Sequence, residues 1–207
     1  MEQIETEVKF HVADTGELHE RLLACGAVPR ETVFETNLRF DDAGQSLLAA
    51  RQLLRLRRDN RAVLTFKQAP DRHNAARATD FKMYNEIETV VDDFEAARKI
   101  LGALGFQEVQ RYEKQRRTYV VDDTELCLDT MPYGVFLEIE GDKAAIRRLA
   151  DCLGLSWERR ILANYLEMFE HIKETASLPF SDVTFDNFKR VTVDIPDLLH
   201  KFEAVNT

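Results

Sequence analysis

Charged side chains recur at alternate positions within short apolar segments of this chain, and acidic and basic sets fall on different segments. Glu5, Glu7 and Lys9 are spaced by two. So are Arg55 and Arg57, Glu86 and Glu88, Lys114 and Arg116, and Glu138 and Glu140. Lys67 alternates with Val63 and Thr65, and Asp129 ends another such segment. A period of two puts each set on one face of a strand. These residue types suit two kinds of partner. Arginine forks and lysine point charges match phosphate oxygens. Carboxylates together with water match Mg2+ or Mn2+. A bound divalent ion both neutralises phosphate charge and activates water. The combination suits a metal–polyphosphate complex, and the number of basic candidates suits an anion longer than a monophosphate.

The segments that must hold these residues read as strands at 3–12, 28–40, 53–58, 62–68, 81–91, 107–121, 125–130 and 135–140. Their other faces are apolar: Ile4, Val8 and Phe10; Leu54 and Leu56; Leu64 and Phe66; Val135, Leu137 and Ile139. In a single strand that pattern describes an ordinary half-exposed sheet with its charges in water. Across the whole set the signs segregate by strand, which solvated faces do not require. If the sheet closes, helices cover the apolar outside and the charges line a lumen. Unpaired charges buried there cost several kcal/mol each, roughly, so such a lumen needs counter-charge, and a cation with a polyanion supplies it.

Helices are expected between the strand groups. One is capped by Asp14 or Thr15, carries Leu18, Leu22 and Leu23, and ends at Gly26. A second opens at Asp92 with Glu95 three residues on, and its apolar stripe is Ile100, Leu101 and Leu104 before Gly105. Two more are expected at 143–153 and about 158–172. Residues 71–78 are polar and aperiodic and read as a mobile loop. No strict strand–helix–strand alternation and no glycine-rich phosphate loop is present, so an antiparallel α+β fold is expected. Residues 1–175 are expected to form the domain. Residues 176–207, with Pro179 and Pro196 and weak periodicity, read as a C-terminal extension of uncertain structure.

Composition bounds the reading. A chain of 207 residues with 44% hydrophobic content can bury one core. No apolar run approaches the roughly 18 residues of a membrane span, and the acidic N-terminus does not resemble a signal peptide. The expected location is the cytoplasm. A net charge of −9 disfavours broad nucleic-acid or membrane binding. Cys25, Cys127 and Cys152 are odd in number and far apart, so neither a disulfide framework nor a zinc site is expected. His11 shares the charged face of its strand but reads as structural.

The ordered motifs resemble those of CYTH domains, which belong to the triphosphate tunnel metalloenzymes. Glu5-Thr6-Glu7-Val8-Lys9 resembles the family's ExExK signature. Leu54-Arg55-Leu56-Arg57, Leu64-Thr65-Phe66-Lys67, Asn85-Glu86-Ile87-Glu88, Lys114-Gln115-Arg116, Leu128-Asp129 and Glu138-Ile139-Glu140 follow in the family's order, and Asn164-Tyr165-Leu166-Glu167 resembles its C-terminal helix motif. The resemblance spans about residues 1–171. It implies a closed eight-stranded antiparallel β-barrel with a charged lumen and helices outside, and a homodimer. It implies that Glu5, Glu7, Glu138 and Glu140 hold Mg2+ or Mn2+, with Asp129 supporting the metal or orienting basic residues. Lys9, Arg55, Arg57, Lys67, Lys114 and Arg116 would bind a triphosphate, with Arg39 as an addition. Glu86 and Glu88 would support the metal or orient the basic residues. The catalytic set is Glu5, Glu7, Lys9, Glu138 and Glu140.

Hydrolysis of inorganic, nucleoside or other organic triphosphate is the leading expectation. Adenylyl cyclisation ranks second, because the histidine-phenylalanine element that often precedes ExExK in class IV cyclases is absent. A non-catalytic polyphosphate-binding module ranks third, because a pure anion binder gains little from paired glutamates in its lumen.

Overall fold

The computed structural model describes residues 3–69, 80–192 and 195–204. The expected loop at 71–78 lies outside these residues. Eight strands form: β1 (Gln3–His11), β2 (Val28–Asp41), β3 (Gln52–Arg58), β4 (Ala62–Gln68), β5 (Lys82–Val91), β6 (Gln107–Val121), β7 (Thr124–Met131) and β8 (Gly134–Glu140). They pair antiparallel in the closed order β1-β5-β4-β3-β2-β6-β7-β8, with β8 returning to β1. Closure leaves no unpaired sheet edge. It also assigns every strand an inner and an outer face, and here the charges go in.

The outer face needs cover, and helices supply it. Helix α1 (Thr15–Ala24) begins where Asp14 accepts hydrogen bonds from the backbone N–H groups of Gly16 and Glu17, both at 2.9 Å. It ends into Gly26 at φ +83°, a conformation that glycine adopts without a Cβ clash. Leu18 and Leu22 are buried, whereas Leu23 faces water. Helix α4 (Lys143–Cys152), capped by Asp142, packs Ile146, Leu149 and Ala150 into the same cluster as Leu18 and Leu22, over Val8, Phe10, Leu126, Leu137 and Ile139. Two further helices, α2 (Ser46–Ala49) and α3 (Phe94–Ala103), follow β2 and β5.

Four sequence expectations need correction. The cap of α3 is Asp93, whose side chain accepts from Ala96 N at 2.9 Å, and not Asp92. Its buried residues are Phe94 and Leu101, with Ala97 against them, over Leu38, Leu54 and Leu56. Ile100 and Leu104 are 59% and 70% exposed. The true stripe runs 94, 97, 101, and the expected one shared only Leu101 with it. Residues 158–164 do not begin the last long helix. Ile161 instead forms a bridge with Lys9, and helix α5 (Tyr165–Thr175) starts behind a capping box of Asn164 and Glu167. Lastly, Cys25 and Cys152 are bonded, with Cα atoms 6.3 Å apart across a sequence separation of 127. Sequence distance hid the pair because α1 and α4 share one face of the barrel. Cys127 is free and buried.

The C-terminal extension packs on the barrel. Val183, Phe188 and Leu199 join Tyr112, Tyr133, Phe136, Met168 and Phe169 in one buried cluster around α5. Among the described residues no helix is long and apolar enough to cross a membrane.

Candidate active site

Alternation along the strands delivers the charged residues to the lumen, and register decides which of them meet. Along β1, Glu5, Glu7 and Lys9 point inward. Glu7 pairs in register with Glu140 and with Lys82, and Lys9 with Glu138. Lys9 is nearly wholly buried; its Nζ lies 3.0 Å from Glu138 and 4.3 Å from the centre of the Tyr165 ring. Lys67 of β4 donates to Glu5 at 2.5 Å and lies 3.1 Å from Glu86. Burial alone would lower the Lys67 pKa, but Glu5, Glu7 and Glu86 together outweigh it and the net direction is up.

The basic wall lies on β3 and β6. Arg55 donates to Thr65 at 3.2 Å and to the Tyr112 hydroxyl at 3.4 Å. Arg57 lies 3.3 Å from Asp59 and about as far as an ion pair extends, 3.9 Å, from Glu35. Glu88 accepts from Thr65 at 3.1 Å and lies 3.9 and 4.0 Å from Arg55 and Arg57. Lys114 and Arg116 converge on Asp129, which is fully buried. It accepts from Lys114 at 2.9 Å, from Arg116 at 2.7 and 2.5 Å, and from the Tyr165 hydroxyl at 2.9 Å. Arg116 also reaches Glu138 at 2.6 Å. Asp129 therefore spends its acceptor capacity on the basic wall.

Arg39 sits apart, near Asp41, Tyr112 and Glu170 of α5. Its Nε and that of Arg55 are buried without a hydrogen-bond partner among the described residues. Buried donors of this kind normally find an acceptor, and an anion in the lumen would provide one.

Two lumen residues escaped the sequence reading although alternation marks both. Glu35 follows Val33 and precedes Asn37 and Arg39 on the inner face of β2. It is 1% exposed and lies 3.6 to 3.9 Å from Lys114, Arg116 and Arg57. Burial pushes its pKa up, but Lys114, Arg116 and Arg57 prevail and hold it at about 2. Lys82, two residues before Tyr84 and four before Glu86, donates to Glu7 at 2.5 Å. Burial opposes the charge on Lys82, yet Glu7 raises its pKa.

The acidic corner is the mirror of this wall. Glu140 is raised to about 8, first by burial and then by Glu5 and Glu7. Burial also outweighs Lys67 at Glu5, whose pKa is raised. Glu7 and Glu138 go down despite burial, because Lys82 and Lys9 respectively oppose it. Among the described residues no three Asp, Glu, His or Cys side chains already meet at metal-binding spacing; lysines hold Glu5, Glu7 and Glu138 instead. The donor set nevertheless fits a hard divalent cation. The carboxylates Glu5, Glu7 and Glu140 outnumber Lys67 and Lys82, and burial, followed by the like charges of Glu5 and Glu7, raises Glu140. Beside this corner a cavity of about 550 Å³ opens, lined by Glu5, Asp123, Glu125, Glu140 and Asp142 among others.

The model of the CYTH domain family matches residues 3–159. A solved protein from Pyrococcus horikoshii is 26% identical, with a TM-score of 0.65, over 79% of this chain and 98% of its own. A candidate adenylate cyclase from Vibrio parahaemolyticus is 19% identical with a TM-score of 0.68, over 82% of this chain and 99% of its own. An adenylyl cyclase candidate from Hippeastrum, described as having a dominant triphosphatase activity, is 17% identical with a TM-score of 0.60, over 80% of this chain and 95% of its own. No curated protein matches the chain.

Proposed function

We propose, starting from the fact that the chain belongs to the CYTH domain family, that it hydrolyses a triphosphate held in the barrel lumen with Mg2+ or Mn2+. The observation that carries this reading is the division of the lumen. A basic wall of Arg55, Arg57, Lys114 and Arg116 faces an acidic corner in which burial, with Glu5 and Glu7 beside it, lifts Glu140 to about 8. A polyanion neutralises the first, and a divalent cation neutralises the second.

In this reading Lys9, Arg55, Arg57, Lys67, Lys114 and Arg116 bind the phosphates, and the Nε donors of Arg39 and Arg55, which have no hydrogen-bond partner among the described residues, add to them. Asp129 and Tyr165 fix Lys114 and Arg116 in place before substrate arrives, so little reorganisation is left for the reaction. Glu5, Glu7, Glu138 and Glu140 would hold the ion, directly or through water. When bound, that ion neutralises phosphate charge and lowers the pKa of a water. Water attacks the terminal phosphorus, the bridging P–O bond breaks with its oxygen leaving on the other fragment, and the water protons pass to the phosphate products or solvent, while the basic wall stabilises the charge that develops on the phosphate oxygens.

The test is incubation with tripolyphosphate or ATP, with Mg2+ or Mn2+, and product identification by ion chromatography. Orthophosphate from tripolyphosphate is the expected product. Cyclic AMP with pyrophosphate from ATP would replace hydrolysis by cyclisation, and turnover of neither would remove the inorganic and adenosine triphosphates as substrates.

Two further results are expected. Arg57→Ala should weaken metal-free tripolyphosphate binding by about 10- to 100-fold, the range of a charge-assisted hydrogen bond; calorimetry reads it. Stability should also respond to pH and cation together. Glu140 has a raised folded pKa, so its contribution favours folding while it is protonated. That contribution fades as pH rises from the ordinary value of 4.5 through about 8. The metal-free protein should melt at lower temperature above pH 8, and Mg2+ or Mn2+ should restore the loss. A melting temperature indifferent to cation at pH 9 would remove the carboxylate corner from the metal assignment.

A further inference from the structure

Strand direction gives the barrel two mouths. The β3–β4 and β6–β7 turns, the start of β1 and the end of β8 border the first, where the acidic cavity opens. The β7–β8 turn and the β2–β3 connection border the second. At this second mouth α5 packs against Tyr112 of β6, Met131 of β7 and Phe136 of β8. Its first residue, Tyr165, is 9% exposed and reaches inward. The hydroxyl donates to Asp129, and Lys9 and Lys114 lie 4.3 and 5.5 Å from the ring centre. Tyr133 donates to the Tyr165 carbonyl at 2.7 Å.

The family-matched span ends at residue 159, before this helix. The described residues that follow α5 run over its outer side and are pinned on both flanks. On the β6 flank, Glu113 N donates to Val183 O at 2.9 Å and Val183 N to Arg111 O at 2.8 Å. On the β1 flank, where Ile161 bridges Lys9, Glu203 accepts from Arg159 at 3.0 and 2.9 Å and Ala204 N donates to Arg160 O at 3.0 Å. Between the pins, Phe180 and Phe188 pack on Phe169 of α5.

We propose that the C-terminal extension straps α5 across this mouth and so fixes Tyr165 as an end stop, making the lumen a blind socket that holds a linear polyphosphate in one register. The proposal rests on the hydrolase reading above. A free terminal phosphate entering from the acidic mouth stops at the Tyr165 ring, beside Lys9 and Lys114, and the phosphates behind it meet fixed partners. In hydrolysis the water oxygen bonds to one phosphorus and the bridging P–O bond on its far side breaks. The bridging oxygen leaves with the other fragment, and the water protons pass to the phosphate products or to solvent. A fixed stop fixes which bridge breaks, and therefore the sizes of both products.

Tetrapolyphosphate reads the register. Cleavage of an outer bridge gives orthophosphate and tripolyphosphate, whereas cleavage of the central bridge gives only pyrophosphate. With Mg2+ or Mn2+ and early sampling by ion chromatography, the intact protein should give one of these outcomes alone. Tyr165→Ala opens space for one more phosphate and should add the other. Tyr165→Phe keeps the ring and should keep the single outcome. A chain ending at Thr175 tests the strap and should also give both. Should circular dichroism find it unfolded, the double variant Arg159→Ala/Glu203→Ala, which removes the side-chain bonds of one pin and leaves its backbone bonds, should give a smaller share of the second outcome. Mixed products from the intact protein, or an unchanged single outcome in both Tyr165→Ala and the strap variant, would overturn the proposal. No hydrolysis of any inorganic polyphosphate by the intact protein would overturn the socket, whereas turnover of an organic triphosphate would leave the hydrolase reading standing.

Discussion

Glu140→Gln is expected to slow tripolyphosphate hydrolysis by about a thousandfold, roughly 4 kcal/mol in the barrier, while metal-free binding of the anion stays the same or tightens. The two effects part because Glu140 belongs to the acidic corner and not to the basic wall. Its strongest neighbours in charge are Glu5 and Glu7, with Lys67 opposing them, and among the described residues no lysine or arginine donates a hydrogen bond to it. Above about pH 8, where Glu140 is ionised, the substitution relieves repulsion toward an incoming polyanion; at any pH it takes a carboxylate oxygen from the group that would hold the divalent ion. Glu7→Gln should lose a comparable factor in turnover. It should also destabilise the fold, because Lys82 then keeps its buried charge without its 2.5 Å partner. Steady-state rates and calorimetry on the same preparations separate these outcomes, with circular dichroism as the check on folding. Turnover unchanged in both variants would sink the carboxylate assignment.

Reduction of the Cys25–Cys152 bond is expected to remove up to about 5 kcal/mol of stability, from the loop-closure entropy of a 127-residue separation. For a chain of this size that corresponds to a fall of roughly 10–20 °C in Tm. The bond ties the C-terminal end of α1 to the last residue of α4, two helices that cover the same outer sheet face. Its loss therefore loosens cover over β1 and β8 and leaves the inward charges in their registers. The Cys25→Ser/Cys152→Ser variant should match the reduced protein in Tm and keep tripolyphosphate affinity within about twofold, a small change on the scale of binding energies. A reduced protein that melts with the oxidised one would show that the pair does not close in solution.

Much of the candidate site was legible without coordinates because a strand has a strict period. Arg55 and Arg57, Lys114 and Arg116, and Glu138 and Glu140 each had to share a face, and the apolar residues between them had to take the other. The same rule marked Glu35 on β2 and Lys82 on β5, which the reading passed over because each lies outside a repeated charge pair. The helical stripe of α3 was harder. Its period of 3.6 leaves several faces open to a run containing Phe94, Ala97, Ile100, Leu101 and Leu104, and only packing on β2 and β3 chose among them.

By itself, then, the sequence determined the alternating strands, the segregation of their charges and the family motifs in order, since these are properties of neighbours along one chain. Tertiary structure decided everything that depends on which strand lies beside which. It set Glu7 against Lys82 and Glu140, gathered Lys114, Arg116 and Tyr165 on Asp129, joined Cys25 to Cys152, and folded the C-terminal extension over one mouth. The physical reason is that register and closure are cooperative. They are fixed by the simultaneous burial of many apolar faces and the pairing of many buried charges, and no local stretch of residues specifies either one alone.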